Sequence, residues 1–401
     1  MRAAIVLCLL PAVSPLAAQE LKALYRAHRW FELRDAVSGK EAPAFYRGAA
    51  ASAFHRPEAE ELLLGVIRHE PHSDDTLEAH KLLMELYWRA GRFPEALEHL
   101  KEVQRTNPEY RGGRNTLAAF EAFAQGGEQV VARRGPSRLR YQMAGNNLVV
   151  PVSVNGKPAN YILDTDFNIC GMSESEARRL GLAVREANAR ASGQAAAGSA
   201  PIRAAIVREI AVGEFRIRNV AFTVHPDTGQ PWADLPEGER GIIGLPVILA
   251  PETLRWNKEG EIEIGVQVPE GGGPGNLWLD GVDPVTQVGF GRDRLDMILD
   301  TGAEATQMWN RFAVEYAGLV RDRGEKSSET VTGVGGSKEF GTVRLPELTL
   351  RVGGLDTLLR PAEVFPKVIG RDRLHGAIGM DLLRQARRVT IDFHSMAVTL
   401  E

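Results

Sequence analysis

The feature that most constrains how this chain can fold is an internal repeat. Ile162-Leu163-Asp164-Thr165 recurs as Ile298-Leu299-Asp300-Thr301 at an offset of 136, and Ala177 recurs as Ala313 at the same offset. Gly181-Leu182 matches Gly318-Leu319 at 137, and Gly241-Ile242-Ile243-Gly244 matches Gly376-Ala377-Ile378-Gly379 at 135. In each copy the Gly-flanked segment follows the aspartate by 77 or 76 residues. A register held over this length implies duplication, so the region should fold as two similar lobes.

Each copy delivers an acid to an unusual place. Apolar runs at Tyr161-Ile162-Leu163 and Met297-Ile298-Leu299 read as buried strands that end abruptly at Asp164 and Asp300. A carboxylate there is costly unless it is hydrogen-bonded or paired, and Gly302 lets backbone N–H groups come close to it. Alternation over residues 148–154, the Asn155-Gly156 turn signal and the run at 161–163 predict a hairpin whose second arm carries Asp164. Residues 285–290 and 295–299 repeat that design ahead of Asp300. Short helices are expected at 173–180, 310–317 and 381–385, and a last strand at 388–393 leading into 396–400. Each lobe should be a small closed β structure. Asp227-Thr228-Gly229 lacks a preceding apolar strand and reads as a loop, and Asp392 reads as a turn or edge acid.

Two lobes, each with Asp-Thr at the end of an apolar strand and a later Gly-flanked apolar segment, resemble the pepsin and retropepsin aspartic proteases, in particular the retropepsin-like branch of bacterial proteins. The resemblance spans roughly residues 140–401 and rests on Asp300-Thr301-Gly302-Ala303 and the two Gly-flanked segments. It implies that Asp164 and Asp300 form a catalytic pair and that Thr165 and Thr301 lock the lobes beneath it by hydroxyl hydrogen bonds. It also implies that Gly302 supplies a backbone N–H, next to Ala303. Two facing carboxylates cannot both ionise easily, so one proton is shared: the charged partner activates a water and the protonated one donates to the peptide carbonyl. The stretch 329–337, which alternates and then carries Gly333, Gly335 and Gly336, suits a mobile hairpin covering such a site, and residues 189–201 are its small, Gly-containing counterpart in the first lobe. The first lobe departs from the family pattern, with Asp166 where Gly is usual and Phe167 where Ala is usual. Three readings follow: a single-chain aspartic endopeptidase, a pseudoprotease that binds peptides or proteins in an inactive cleft, and an enzyme completed by pairing second lobes between two chains.

The rest of the chain is of a different kind. Residues 1–18 carry Arg2, the apolar run AAIVLCLLPAV and Leu16-Ala17-Ala18, the pattern of a secretory signal. That run is shorter than the ~18 residues that suggest a span. The chain is therefore expected to be exported, periplasmic or secreted, with no stable membrane span once the signal is removed. Over 19–130, Leu83, Tyr87, Gly91, Phe93, Ala96, Leu100 and Pro108 fall at tetratricopeptide spacing. An upstream copy lies 37 residues earlier, with Ala59, Leu63, Val66 and Pro71 matching Ala96, Leu100, Val103 and Pro108. This predicts helical hairpins that either present a surface to a protein partner or simply pack against the lobes. Trp30, Trp88, Phe54 and Phe93 are expected to serve as core residues.

The expected architecture is multidomain: signal at 1–18, α-helical hairpins at 19–130, and two homologous all-β aspartic-protease-like lobes at 140–268 and 276–401. The stretch from Glu270 to Gly275 is expected to be a plain connector. A net charge of −4 gives no reason to expect nucleic acid. Cys170, the one cysteine outside the signal, reads as a small core residue. His69 and His72 lack partners at ligand spacing, so neither a metal nor a cofactor is expected. The expected partner is a peptide or protein substrate.

Overall fold

The computed structural model describes residues 15–39, 42–71, 73–110, 113–191, 193, 199–268, 275–367, 369 and 371–401, with no side-chain description at 15–17. Most of the expected signal, His72, much of the expected connector and most of the tip of the first lobe's loop lie outside these residues. Seven helices come first: α1 (Pro15–Arg26), α2 (Trp30–Ala36), α3 (Ala44–Ala53), α4 (Ala59–His69), α5 (Asp74–Arg89), α6 (Phe93–Thr106) and α7 (Gly113–Phe123). The chain divides into two compact units, one up to Leu83 and one from Met84 onward, so the division falls inside α5. Among the described residues no helix is long and apolar enough to cross a membrane.

In the first unit, α3 and α4 pack closely because Gly48 has no side chain: a Cβ there would meet Leu63. Ala59, Leu63 and Val66 form one buried face of α4, the spacing of an amphipathic helix. Tyr25 meets Trp30 and Phe45 edge to face, which seals α1 and α2 onto α3. In the second unit Phe93, Ala96, Leu100 and Val103 are the buried face of α6. Gly91, at φ +70, makes the turn before it. Trp30, Phe54 and Phe93 are buried and Trp88 is partly so, with its ring edge to face on Phe120.

The first lobe is a closed ring of strands. Asn147–Val154 and Lys157–Leu163 form the expected hairpin, and the long pair Ala200–Val212 and Phe215–His225 completes the closure. The second lobe repeats this order with Asp283–Phe290 and Asp293–Leu299. Its closing hairpin is cut into two, however: Gly336–Leu345 pairs with Ala362–Val364, and Leu348–Val352 pairs with Leu355–Leu359. Pro346 and Pro361 stand at the two breaks, where a residue without an N–H cannot continue a ladder. The expected uniform closed lobe is thus modified in the second copy.

A third sheet belongs to neither lobe alone. Ser137–Arg140, Glu261–Ile264, Thr253–Asn257, Arg388–Asp392 and Ala397–Leu400 lie side by side, so the end of the second repeat pairs with the end of the first. Leu254, Trp256, Ile262, Val389, Ile391 and Val398 bury one face of it. Asp392 accepts from the His394 N–H and the Ser395 hydroxyl at 2.9 and 2.6 Å, which makes it a turn acid.

Within each lobe the Gly-flanked segment runs parallel to the strand that ends in aspartate: Ile242 pairs with Ile162 and Ala377 with Ile298. The parallel neighbour also takes the aspartate N–H, since Asp164 donates to Ile243 O and Asp300 to Ile378 O, both at 3.0 Å. The second glycine of each segment lies against the backbone of the aspartate loop: a Cβ on Gly244 would overlap Phe167 O and Ile169 O, and one on Gly379 would overlap Ala303 O and Ala305. We predict that Gly244→Ala destabilises the protein by about 1–3 kcal/mol in urea unfolding, because rigid backbone, rather than a side chain that can turn aside, occupies the space.

Candidate active site

Asp164 and Asp300 stand at matching strand ends, each half-buried and each held by its own loop. The Asp300 carboxylate accepts from the Gly302 and Ala303 N–H groups, both at 2.9 Å. Asp164 accepts from the Asp166 N–H at 2.9 Å. Asp166 therefore keeps the backbone contact that glycine makes in the second lobe; its side chain does not obstruct it. Gly302 has a second role, because a Cβ on it would overlap the Asp164 carboxylate. The two acids meet across the junction because one of the two loops has no side chain at this point.

Beneath them the threonines cross. The Thr165 hydroxyl donates to Leu299 O at 2.5 Å and accepts from the Thr301 N–H at 3.0 Å. The Thr301 hydroxyl donates to Leu163 O at 2.8 Å and accepts from the Thr165 N–H at 3.1 Å. Both threonines are fully buried. Four hydrogen bonds thus satisfy two hydroxyls, two N–H groups and two carbonyls at the lobe junction.

Burial and then the Asp300 charge push the Asp164 carboxyl well above the usual carboxylate range, while N–H donation from Asp166 and Phe167 acts in the opposite sense. Burial pushes Asp300 up to about 6, against donation from Gly302 and Ala303. The pair is thus arranged to hold one proton between two acids.

The stretch expected to be a covering hairpin does form a hairpin, Glu325–Gly333 with Gly336–Leu345, in which Gly333 pairs with Gly336. Gly335 and Gly336 have φ of +103 and +122, so the tip needs glycine. Its Val334 carbonyl accepts from the Gly193 N–H of the first lobe at 2.9 Å. The lobes are therefore joined at the floor by the threonines and again at this tip.

The other singled-out residues lie elsewhere. Asp227 accepts from the Ser175 N–H and hydroxyl and pairs with Arg240, which identifies it as a loop-fixing acid. Cys170 is buried with its thiol pushed up to about 12 by burial, and the Gly244 N–H donates to its sulfur at 3.4 Å. Thr306 does the same for Gly379 in the second lobe, at 2.9 Å, and Asp381 accepts from the Thr306 hydroxyl. The offset of 136 that relates Cys170 to Thr306 was visible in the sequence; their common task was not. His69 ends α4.

The aspartyl protease family model matches the chain twice, over residues 150–247 and 286–382. Each lobe matches the aspartyl protease family model separately. Each match contains one Asp-Thr pair and its Gly-flanked segment. A crystal structure of a retropepsin-like aspartic protease from Rickettsia conorii is similar over 34% of this chain and 92% of its own, at 12% identity and a TM-score of 0.24, too distant a likeness to assign any residue a role. No curated protein matches the chain.

Two outcomes follow from this junction. Thr301→Val leaves a buried N–H and a buried carbonyl without partners and should cost about 2–4 kcal/mol in denaturant unfolding, whereas Thr301→Ser, which keeps the hydroxyl, should cost about 1 kcal/mol or less. The carboxyl of Asp300 moves from its ordinary 3.8 to about 6 on folding. The folded state therefore holds its proton more tightly than the unfolded chain does, and stability falls as pH rises between those values. Asp300→Asn should leave thermal stability nearly unchanged at pH 4 and raise it by a margin that grows to a plateau above pH 6.

Proposed function

We propose that this protein is an exported aspartic endopeptidase that hydrolyses peptide bonds with a water activated between Asp164 and Asp300. The observation that carries this reading is the seating of Asp164 against Gly302, which brings one acid from each lobe to a single point. The ionised partner of the pair draws the proton from the water, and the protonated partner donates to the carbonyl of the scissile bond. Attack then gives a tetrahedral intermediate with no covalent bond to the protein. The Thr165–Thr301 crossing keeps the acids in register, and the 325–345 hairpin closes over an extended substrate.

Export rests on the signal-like residues 1–18. The helical hairpins are read as tetratricopeptide-like; their part within the second unit packs on the lobes, with Arg89 donating to Gly281 O and Gln129 to Pro246 O. The helices of the first unit are the part left to serve a protein partner.

Asp166 sustains the second reading, a pseudoprotease that binds peptides without cleaving them. Its carboxyl is pushed well above the usual range by burial and by Asp300, Asp283 and Asp164, so it adds a third protonatable group beside the pair. The third reading, pairing of second lobes between two chains, is disfavoured because Asp164 of the same chain already occupies the place beside Gly302.

Asp164→Asn and Asp300→Asn are each expected to lower kcat/KM on an unfolded protein substrate by about a thousandfold or more. The pH profile of the parent should be bell-shaped, rising as the pair gives up its first proton and falling as it gives up its second, with the limbs above the usual carboxylate range. An inactive parent that gains cleavage with Asp166→Gly would establish the pseudoprotease instead; full activity in Asp164→Asn would rule out the intramolecular pair.

A further inference from the structure

The two lobes have one turn in common and seat it differently. In the first lobe Gln142–Ala144 pairs with the start of Asn147–Val154, and in the second Leu277–Asp280 pairs with the start of Asp283–Phe290; Ala144 faces Asn147 as Asp280 faces Asp283, at the offset of 136. The turns begin with Gly145 and Gly281, both in the left-handed region at φ of +59 and +70. The first lobe's turn is seated on the second lobe. A Cβ on Gly145 would lie 2.7 Å from a Glu304 carboxylate oxygen, Asn146 Nδ2 donates to Glu304 O at 3.3 Å, and Arg384 Nη1 donates to Asn146 Oδ1 at 2.5 Å. A glutamate and an arginine of the neighbouring lobe thus meet this turn, and the glutamate stands next to Ala303 on the Asp300 loop.

The positions of the first lobe that correspond to Glu304 and Arg384, at offsets of 136 and 135, are Asn168 and Leu249, which carry no charge. The second lobe's turn is met by the end of α5 instead. A Cβ on Gly281 would lie 3.2 Å from the Glu85 carboxyl carbon and from one of its oxygens, and Arg89 Nη1 donates to Gly281 O at 2.9 Å. Glu85 and Arg89 are one helical turn apart on α5, so they present to the same side. Arg89 is 2% exposed. The same two residue types therefore meet both turns, from the other lobe in one case and from the helical region in the other.

From this turn a chain of contacts leads to the Asp300 loop. Asp280 and Asp283, which flank the turn, are buried. Arg373 Nε donates to Asp280 Oδ2 at 2.6 Å, and Arg371 is ion-paired with Asp283. Both arginines lie just ahead of Gly376–Ile378, the strand whose Ile378 O accepts the Asp300 N–H. We propose that Glu85 and Arg89 are positioning residues for Asp300: they seat the 280–283 turn and, through its two acids and their arginines, hold the strand beside the second lobe's aspartate. The effect on cleavage rests on the proposed Asp164–Asp300 chemistry; the seating itself does not. The end of α5 then serves the second lobe as the second lobe serves the first.

The experiment is amide hydrogen exchange by NMR in the full chain, which needs no turnover, read at the Asp300 and Asp164 N–H groups and paired with kcat and KM on an unfolded protein substrate. Arg89→Leu should speed exchange at Asp300 by about tenfold or more and leave Asp164 within about threefold of the parent. It should lower kcat by about tenfold or more while KM changes by less than about twofold, because a displaced acid spoils the attack and not the hold on the substrate. The Asp164 N–H, which donates to Ile243 O, is the internal control, since a general loosening of the fold speeds both amides together. Equal acceleration at both, or none at Asp300, overturns the inference and leaves the protease reading intact. Selective acceleration at Asp300 in a protein that cleaves nothing supports the seating and sinks the protease reading. If Arg89→Leu does not fold, Arg89→Lys and Glu85→Gln carry the same test: exchange about threefold faster at Asp300 alone supports the inference, and no selective change in either variant overturns it.

Discussion

The crossing of Thr165 and Thr301 is the interaction on which the rest of the structure depends. Each hydroxyl gives its proton to the strand of the opposite lobe and takes one from the opposite threonine's N–H. These are fully buried polar groups, and leaving any of them unmade costs more than the bond contributes when made. Only one relative placement of the lobes satisfies all four bonds at once. That placement puts the two aspartate loops face to face, and the proximity of the acids follows from it.

Around this junction the lobes solve a common problem, that of stiffening a loop that carries a buried charge. The neighbouring Gly-flanked strand pairs in parallel with the aspartate strand and takes the aspartate N–H, and the loop's own N–H groups point at the carboxylate. Glycine is required where backbone meets backbone with no space for a Cβ. The two lobes do not solve the problem identically. Gly302 yields space to Asp164, whereas Asp166 brings in a further carboxyl. Duplication supplies the symmetry, and departures from it fall in the two aspartate loops.

The sequence made the main architecture legible. The offset of 136 could be read directly, and with it the two lobes, the paired acids and threonines, and the hairpin ending near Gly335. The helix after the Asp164 loop begins as its Ser173 cap and left-handed Gly181 would suggest. The second lobe's equivalent instead breaks at Tyr316 into Asn310–Glu315 and Ala317–Arg323. Pro346 and Pro361 were equally visible, but whether a proline ends a strand or only interrupts a hairpin depends on which neighbour it faces.

What the sequence determined by itself was therefore whatever is periodic or local: strand alternation, helical faces, turns that need glycine, and the repeat. Those signals come from short-range sterics and from the burial of one face, and both leave a spaced pattern in the chain. Only the tertiary structure decided that the two repeats share a sheet through Thr253–Asn257 and Arg388–Asp392, and that Gly302 makes room for Asp164. These are meetings between residues far apart in the chain, set by how two curved sheets fit together, and no spacing in the sequence encodes them.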